Sequence, residues 1–313
     1  MGWFGRRGFA AALLVLVGLA PSLAAAEDAK LKAVATFSIL ADLVAQVGGD
    51  RVAVTSLVGP DADAHGYAPT PGDARKLAEA NLVVVNGLGF EGWMERLIKA
   101  SGSKAPLVVA SKGVKTIAGS HDHDDHDHGD HGHDHGEGDH ADPHAWQNVA
   151  NVKLYVANIR DGLTAADPAN AALYTANAAA YTQKLDALDA EIRAALAAIP
   201  QERRRIITTH DSFGYFSAAY GMRFLAPQGI STDSEAGPKD VARIIRQIRR
   251  DRVPAVFVES IADPRLMQQI ARESGAKVGG RIYSDALSAP GGPAPGYLEM
   301  MRSNLTAFRE ALS

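Results

Sequence analysis

The sequence predicts an α/β fold with two Rossmann-like α/β lobes joined by a single long rigid helix. Short apolar segments of strand type alternate with amphipathic segments of helix type in both halves of the chain. Such alternation is typical of a parallel sheet covered by helices on both faces. Between the halves, residues 169–199 contain few helix breakers, and their larger side chains recur at helical spacing. We therefore expect lobes at 27–168 and 200–313, connected by a helix at 169–199.

Local signals define the elements of the first half. Thr70, Pro71 and Asp73 form a good helix start, because Thr caps a helix and Pro fits its first position. Gly48 and Gly49 stop the preceding helix. The predicted strands are 31–37, 52–58, 82–85 and 107–109, and the predicted helices are 39–47, 70–80, 92–100 and 148–163.

The second half repeats this alternation. A strand ends at His210 and Asp211, and a Gly/Pro-rich loop follows Asp285. The predicted strands are 205–209, 223–225, 253–258 and 277–279, and the predicted helices are 213–220, 238–250, 264–274 and 296–312.

The N-terminus has the pattern of a secretory signal peptide at 1–26. Arg6 and Arg7 precede a short apolar run, and small residues at 24–26 offer a cleavage site. An uncleaved anchor is the alternative, but the run is too short to span a bilayer comfortably; the arginine pair also loosely fits a twin-arginine signal. The chain has no cysteine, which excludes disulfides and a lipid-modified cysteine. We expect an exported protein, cleaved near Ala26, free in a periplasm and not a lipoprotein.

A run of His, Asp and Gly at 121–140 dominates the middle of the chain. It contains eight of the 11 histidines: His121, His123, His126, His128, His131, His133, His135 and His140. With so few apolar side chains it cannot offset the entropy of ordering, so we expect a mobile loop at 119–141. This density of imidazole and carboxylate binds divalent metals weakly; an inert solvated insert is the alternative. The formal charge of −4, with its acid concentrated here, gives no case for nucleic acid.

Three histidines lie outside this run, each in its own motif. His65, His210 and Asp285 are predicted in loops at strand ends, where open α/β sheets bind ligands, and His144 follows the turn dipeptide Asp142-Pro143. Three imidazoles and one carboxylate make a tetrahedral shell that suits Zn²⁺. Each residue alone is more often structural. Four such positions, two in each half, together favour a shared metal site over four separate structural roles.

Seven stretches carry a resemblance to a known family. They are ATFSILAD at 35–42, DAHGYAPTPGD at 63–73, NGLGFEGW at 86–93, DPHAW at 142–146, THDSFGYF at 209–216, FVES at 257–260 and YSDAL at 283–287. The chain resembles the metal-binding class (cluster A-I) of ABC-transporter solute-binding proteins, the zinc and manganese uptake family. The resemblance covers essentially the whole mature chain, and the motifs together are highly specific.

The resemblance implies two lobes joined by a long helix, with the metal in the cleft. Its ligands fall on His65, His144, His210 and Asp285, and its partners are a membrane permease and a cytoplasmic ATPase. The His-rich loop goes with zinc-type members, so we expect one tight Zn²⁺ in the cleft and weaker additional sites in the loop. We also expect a monomer, with a periplasmic zinc donor as an open further partner.

Metal selectivity depends on the ligand at His210. Manganese binders of the family commonly have Glu there; imidazole favours Zn²⁺, while oxygen-rich shells favour Mn²⁺. Ala64 and Ala68 stand where the family often has Pro and an acidic residue. Some members with this same ligand set bind both metals, so manganese or iron binding stays an alternative.

Two other classes of function compete with transport. A zinc hydrolase needs an open coordination position and a general base. Here four ligands fill the shell, and no HExxH motif exists. Glu259, the best candidate base, is better interpreted as a residue that supports a metal ligand or as a strand-end structural residue. We therefore expect no enzyme. A zinc store or chaperone that works through the loop alone is the other alternative.

Overall fold

A computed structural model describes residues 1–3, 29–119 and 141–312. The predicted signal peptide, with its arginine pair and cleavage site, therefore falls almost wholly outside the described residues, as do all eight histidines of the 121–140 run. Across the described ranges, no helix combines the length and the apolar character needed to cross a membrane.

The first lobe is built on a four-stranded parallel sheet. Its strands are β1 (Leu31–Phe37), β2 (Val52–Val58), β3 (Leu82–Val85) and β4 (Leu107–Val109). Its helices are α1 (Ser38–Gly48), α2 (Pro71–Ala78), α3 (Met94–Ser101) and α4 (Val149–Ala166). The strand order is β2-β1-β3-β4, and β3 is buried along its whole length. A parallel strand of this kind is apolar throughout because helices cover both faces of the sheet.

The long helix α5 (Ala171–Ala197, 27 residues) follows a 3-10 turn at Pro168–Asn170. At 1.5 Å per residue it extends about 40 Å. It packs against α1 and α4, and at its other end against elements of the second lobe. The predicted connecting helix is confirmed, with its ends moved inward by two residues on each side.

The second lobe repeats the architecture of the first. Its strands are β5 (Arg205–Ile207), β6 (Arg223–Leu225), β7 (Ala255–Glu259) and β8 (Lys277–Ile282). Its helices are α6 (Gly214–Tyr220), α7 (Pro238–Asp251), α8 (Pro264–Ser274) and α9 (Tyr297–Leu312). The order β6-β5-β7-β8 matches the first sheet strand for strand. The predicted fold class is confirmed.

This topology fixes where a ligand can bind. In each sheet the first and third strands are neighbours, and their connections leave in opposite directions. A crevice opens at that point beyond the carboxyl ends of the strands. One continuous apolar cluster includes Leu40 of the first lobe, Leu185 of α5 and Phe308 of the second lobe. The shared core places the two crevices against each other.

Candidate metal site

The four side chains singled out in the sequence meet between the lobes. His65 lies in the loop after β2, and His144 precedes a 3-10 turn at Ala145–Gln147. His210 follows β5, and Asp285 follows β8. One ligand atom from each side chain can be chosen so that all four lie within 4.8 Å of one another. Residues up to 220 positions apart in sequence therefore form one cluster.

The spacing of these atoms matches a small tetrahedral ion. Nε2 of His65 lies 3.2 Å from Nε2 of His144 and 3.4 Å from Oδ2 of Asp285. Nε2 of His210 lies 3.1 Å from that same oxygen, and Nε2 of His144 lies 3.7 Å from Oδ1. Donors at 2.0–2.1 Å from a tetrahedral Zn²⁺ are about 3.3 Å apart. The residues present fit such an ion.

Unpaired polar atoms point to the same conclusion. Both carboxylate oxygens of Asp285 and Nε2 of His210 are buried and lack a well-formed hydrogen bond within the described structure, despite their 3.1 Å approach. Buried polar groups are normally hydrogen-bonded, because leaving them unpaired is costly. A bound cation would satisfy these atoms together.

Two carboxylates contact the Nδ1 atoms of His144 and His210, on the side of each ring that faces away from the cluster. Asp142 accepts hydrogen bonds from Nδ1 and from the backbone N–H of His144, at 2.8 and 2.9 Å. Glu259 lies 2.5 Å from Nδ1 of His210, and it accepts from the backbone N–H groups of Thr209 and His210. The oxygen that faces Nδ1, Oε2, also accepts from the hydroxyl of Ser284, which precedes Asp285, whereas the two backbone N–H groups donate to Oε1. A carboxylate on Nδ1 fixes the ring so that Nε2 is free to bind a metal.

These charges shift the titration of the cluster. Burial alone would raise the pKa of Asp285, but the charges of His210 and His144 hold it well below its usual range. Burial alone would lower the pKa of His210, but Glu259 and Asp285 raise it well above its usual range. Without a metal, the cluster therefore favours an ionised carboxylate beside a protonated imidazole. A metal ion must displace that proton when it binds.

The loop that carries His65 holds this residue in place. Its backbone N–H donates to Oδ1 of Asp63 at 2.9 Å, and its ring packs edge-on against Phe90 at 4.6 Å between centroids. Trp93 donates from its indole N–H to the carbonyl of Ala64 at 2.8 Å. The loop is thus fixed immediately before the ligand.

Aromatic rings form the first-lobe wall of the site. Phe90 lies 4.9 Å from both Phe37 and Trp146 between ring centroids, and Trp146 lies 5.3 Å from His144. These large side chains are almost fully buried. They exclude water from the inner side of the cluster, so charges there interact more strongly than they would in water.

The cluster opens to solvent at His65. This side chain is 5% exposed, whereas those of His144, His210 and Asp285 are 0% exposed. A cavity of about 690 Å³ adjoins His65 and is lined by Tyr67 and Phe90 on one side and by Ile230 and Ser231 on the other. Metal can reach the cluster by this route.

Three residues that support the site were missed or underrated in the sequence. The sequence places Asp142 only in a turn, and it leaves Glu259 as either a residue that supports a metal ligand or a strand-end structural residue. The spacing Asp-x-His was the available signal for Asp142. The same spacing occurs at Asp63 and His65, but the contact of Asp63 with Thr232 has no local signal, because the two residues are far apart in the sequence.

A family description matches residues 33–311 of the chain: ZnuA, zinc-uptake complex component A, periplasmic. The manganese ABC transporter substrate-binding lipoprotein PsaA of Streptococcus pneumoniae is 33% identical over 290 residues, covering 91% of this chain and 89% of that protein. Among solved structures, the periplasmic zinc-binding protein TroA of Treponema pallidum has a TM-score of 0.82 at 29% identity, covering 91% of this chain and 99% of that one.

One relative, together with PsaA, corrects the predicted localisation. The metal ABC transporter substrate-binding lipoprotein FimA of Streptococcus parasanguinis is 33% identical over 311 residues, covering 97% of this chain and 96% of that protein. Both names describe lipoproteins, which contradicts the prediction of a protein without a lipid anchor. That prediction rested on the absence of cysteine alone. An exported location is consistent with the family description.

Proposed function

The chain belongs to the family of periplasmic zinc-uptake complex component A, and from this premise we propose that it binds Zn²⁺ in the cleft and delivers it to an ABC importer. As a family member it is a metal-binding component of such an importer and not an enzyme. An importer of this type implies a permease and an ATPase as partners. The finer assignments, to zinc and to particular ligands, are our proposal.

The composition of the cluster carries this proposal. Three imidazole nitrogens and one carboxylate converge at spacings that suit a tetrahedral ion. We assign the ligands as His65, His144, His210 and Asp285. Zn²⁺ has no geometric preference beyond four close donors, and imidazole suits it well. The ion is the cargo of the protein, so it must be released as well as held.

The proposal extends to the organisation of the chain. We divide it into lobes at 27–168 and 200–313 with the connecting helix between them. We further propose a monomer that takes zinc from the medium or from a periplasmic donor, with weak extra sites in the 121–140 run. These weak sites, and any role of that run in loading, would follow from its histidine content.

Manganese, or iron, is the second candidate cargo. PsaA is named a manganese protein, and the carboxylate of Asp285 supplies an oxygen ligand. Mn²⁺ prefers shells richer in oxygen than one carboxylate among three imidazoles. The ligand set therefore supports zinc over manganese as the preferred ion.

Metal titration tests the proposal. Full-length protein and a variant lacking residues 121–140 are titrated with Zn²⁺ against a chelator of known affinity, and then with Mn²⁺ under metal-buffered conditions. We expect one tight equivalent of zinc in both proteins, with additional weak equivalents in the full-length protein alone. His210→Ala should lose the tight equivalent and keep the weak ones. If deletion of the run abolishes tight binding, the assignment to the cleft is wrong.

A further inference from the structure

A hydrogen bond across the mouth of the cleft connects the first lobe to a loop of the second. The hydroxyl of Thr232 donates to Oδ2 of Asp63 at 2.6 Å. Thr232 lies in the loop 226–237, which runs from the end of β6 to the start of α7. The other oxygen of Asp63, Oδ1, accepts from the backbone N–H of His65. The carboxylate of Asp63 thus contacts both the backbone of His65 and a loop of the second lobe.

The loop 226–237 forms the outer wall of the route to the cluster. Ile230 and Ser231 line the cavity that adjoins His65. Gly66 faces Asp233, and a side chain at Gly66 would begin 3.6 Å from the Asp233 carboxylate, at ordinary van der Waals distance. The loop is tied to its own lobe through Gln228, whose backbone N–H donates to the carbonyl of Thr209, and through the Gly229 carbonyl, which accepts from Asp211. When the loop moves away from the first lobe, the Thr232–Asp63 bond must break.

On the side of the cleft away from its mouth, several buried hydrogen bonds join the two lobes. Trp146 and Gln147 both donate to the carbonyl of Ser284, at 2.9 and 2.8 Å, and Tyr297 donates to the carbonyl of Trp146. Opening without disrupting these buried bonds must therefore occur at the mouth. There, a single side-chain hydrogen bond is cheaper to break than a buried network.

We propose that Asp63 and Thr232 form a latch that sets how fast a bound metal leaves the cluster past His65. Asp63 is a positioning residue, and it does not touch the ion. While the latch is closed, His65 is held toward the three enclosed ligands and the loop 226–237 covers the cavity. When the latch opens, His65, the least buried of the proposed ligands, and the loop 226–237 become free to move together. This inference rests on the proposed metal site.

Removal of one hydroxyl tests the latch. Thr232→Val keeps the shape of the side chain but cannot donate to Asp63, and Thr232→Ser restores the donor. Thr182→Val is the matched control, because it removes a hydroxyl-to-carbonyl hydrogen bond within α5, away from the cleft. Each full-length protein is loaded with one equivalent of Zn²⁺, and transfer to a chromophoric chelator is followed by stopped flow, with Kd measured separately.

We expect Thr232→Val to release zinc about tenfold faster, which corresponds to about 1.4 kcal/mol. Thr232→Ser and Thr182→Val should release zinc at about the wild-type rate. Because the latch lies across the same path in both directions, entry should also accelerate, and Kd should change less than the release rate. A wild-type release rate in Thr232→Val overturns the inference. So does faster release with an equal loss of affinity, since that result means only that His65 has lost its position.

The underlying metal site is checked separately in the same series. If wild-type protein and His210→Ala hold one tight equivalent of zinc equally well, the proposed function fails, whatever the release rates are. If His210→Ala loses the tight equivalent and Thr232→Val behaves as wild type, the site stands and the latch alone is rejected.

Discussion

Among the four proposed ligands, His210 is the one whose replacement we expect to change the preferred metal most directly. Its ring is enclosed by Glu259 at Nδ1 and by Asp285 at Nε2, at 2.5 and 3.1 Å. A glutamate at this position would add an oxygen donor, which favours Mn²⁺, but it would also place a third buried carboxylate beside two others. Like charges at such distances oppose ionisation.

We predict that His210→Glu weakens Zn²⁺ binding and improves Mn²⁺ binding relative to zinc, without loss of the fold. The repulsion from Glu259 should limit the gain. The double variant His210→Glu/Glu259→Gln should therefore bind Mn²⁺ more tightly than the single variant. Competition of the two ions under metal-buffered conditions measures both effects. An unchanged preference in His210→Glu would place selectivity elsewhere, and equal Mn²⁺ affinity in the two variants would remove Glu259 from the explanation.

Residue-level prediction from the sequence succeeded where one topological rule applied. His65, His210 and Asp285 were placed at strand ends, and parallel sheets bring those ends to one edge. The pairing of Thr232 with Asp63 joins residues 169 apart. No local pattern encodes such a contact, because it depends on how two lobes face each other. The supporting residues are therefore harder to predict than the proposed ligands.

At the scale of elements, the start of α2 anchors the loop that carries His65. The side chain of Asp73 accepts hydrogen bonds from the backbone N–H and the hydroxyl of Thr70. The backbone N–H of Asp73 donates to the hydroxyl oxygen of Thr70, which closes a capping box. The Asp73 side chain also accepts from the hydroxyl of Tyr67 at 2.8 Å and from Lys76 at 2.8 Å. Tyr67 lies two residues after His65 and lines the cavity. The N-terminal cap of α2 thus fixes the C-terminal end of the loop that carries His65.

We predict that Asp73→Asn destabilises the protein by about 1–3 kcal/mol at pH 7, from the lost cap and charged hydrogen bonds. Burial would raise the pKa of Asp73, but the hydrogen bonds from Lys76, Thr70 and Tyr67 lower it well below its usual value. A lowered folded-state pKa gives stability that is present above the unfolded value, about 3.9, and lost as the pH falls below it.

Urea unfolding from pH 7 down to about pH 3 measures this effect, with the gap between wild type and Asp73→Asn expected to narrow below about pH 4. Glu79→Gln at the exposed end of the same helix is the control and should cost little. A gap that stays constant across this range would show that the carboxylate charge is not the source of the stability.

Strand β8 shows where local patterns misplace an element. The sequence predicted a strand ending at Gly279, yet β8 continues to Ile282. The pairing register of β7 and β8 shifts between Val256 and Val258, and Gly280 takes a φ of 111° there. A side chain at Gly279 would begin 2.6 Å from the ring of Phe257. The glycines allow a bulge and a close approach inside the strand, which a sequence pattern cannot distinguish from a strand end.

At the scale of the whole molecule, the repeated strand order predicts where the site lies, but it does not predict how the site works. Two sheets with the same order place two crevices face to face, and each lobe contributes two of the proposed ligands. A metal bound there ties the lobes together. Metal binding should therefore be visible in the stability of the entire fold.

We predict that Zn²⁺ raises the melting temperature most at neutral to alkaline pH and progressively less as the pH falls. A ligand that binds only the native state adds about 4 kcal/mol at a thousandfold excess over Kd. Ligand histidines must be neutral to bind, and the ordinary pKa of histidine is about 6.5. Burial opposes charge on His210, but Glu259 and Asp285 raise its pKa well above that value. Protons therefore compete with zinc already above pH 6.5, and the gain fades as the pH falls through the raised pKa.

Melting curves with and without zinc between pH 8 and pH 5 test this dependence. A variant lacking residues 121–140 removes the contribution of the exposed histidines, so the remaining shift reports on the cleft. In that variant the shift should be large at pH 8 and small at pH 5, because the His210 imidazole, whose pKa is raised, must lose its proton before zinc can bind. Equal shifts at pH 5 and pH 7.5 would mean that the stabilising ion does not bind through the proposed ligand histidines.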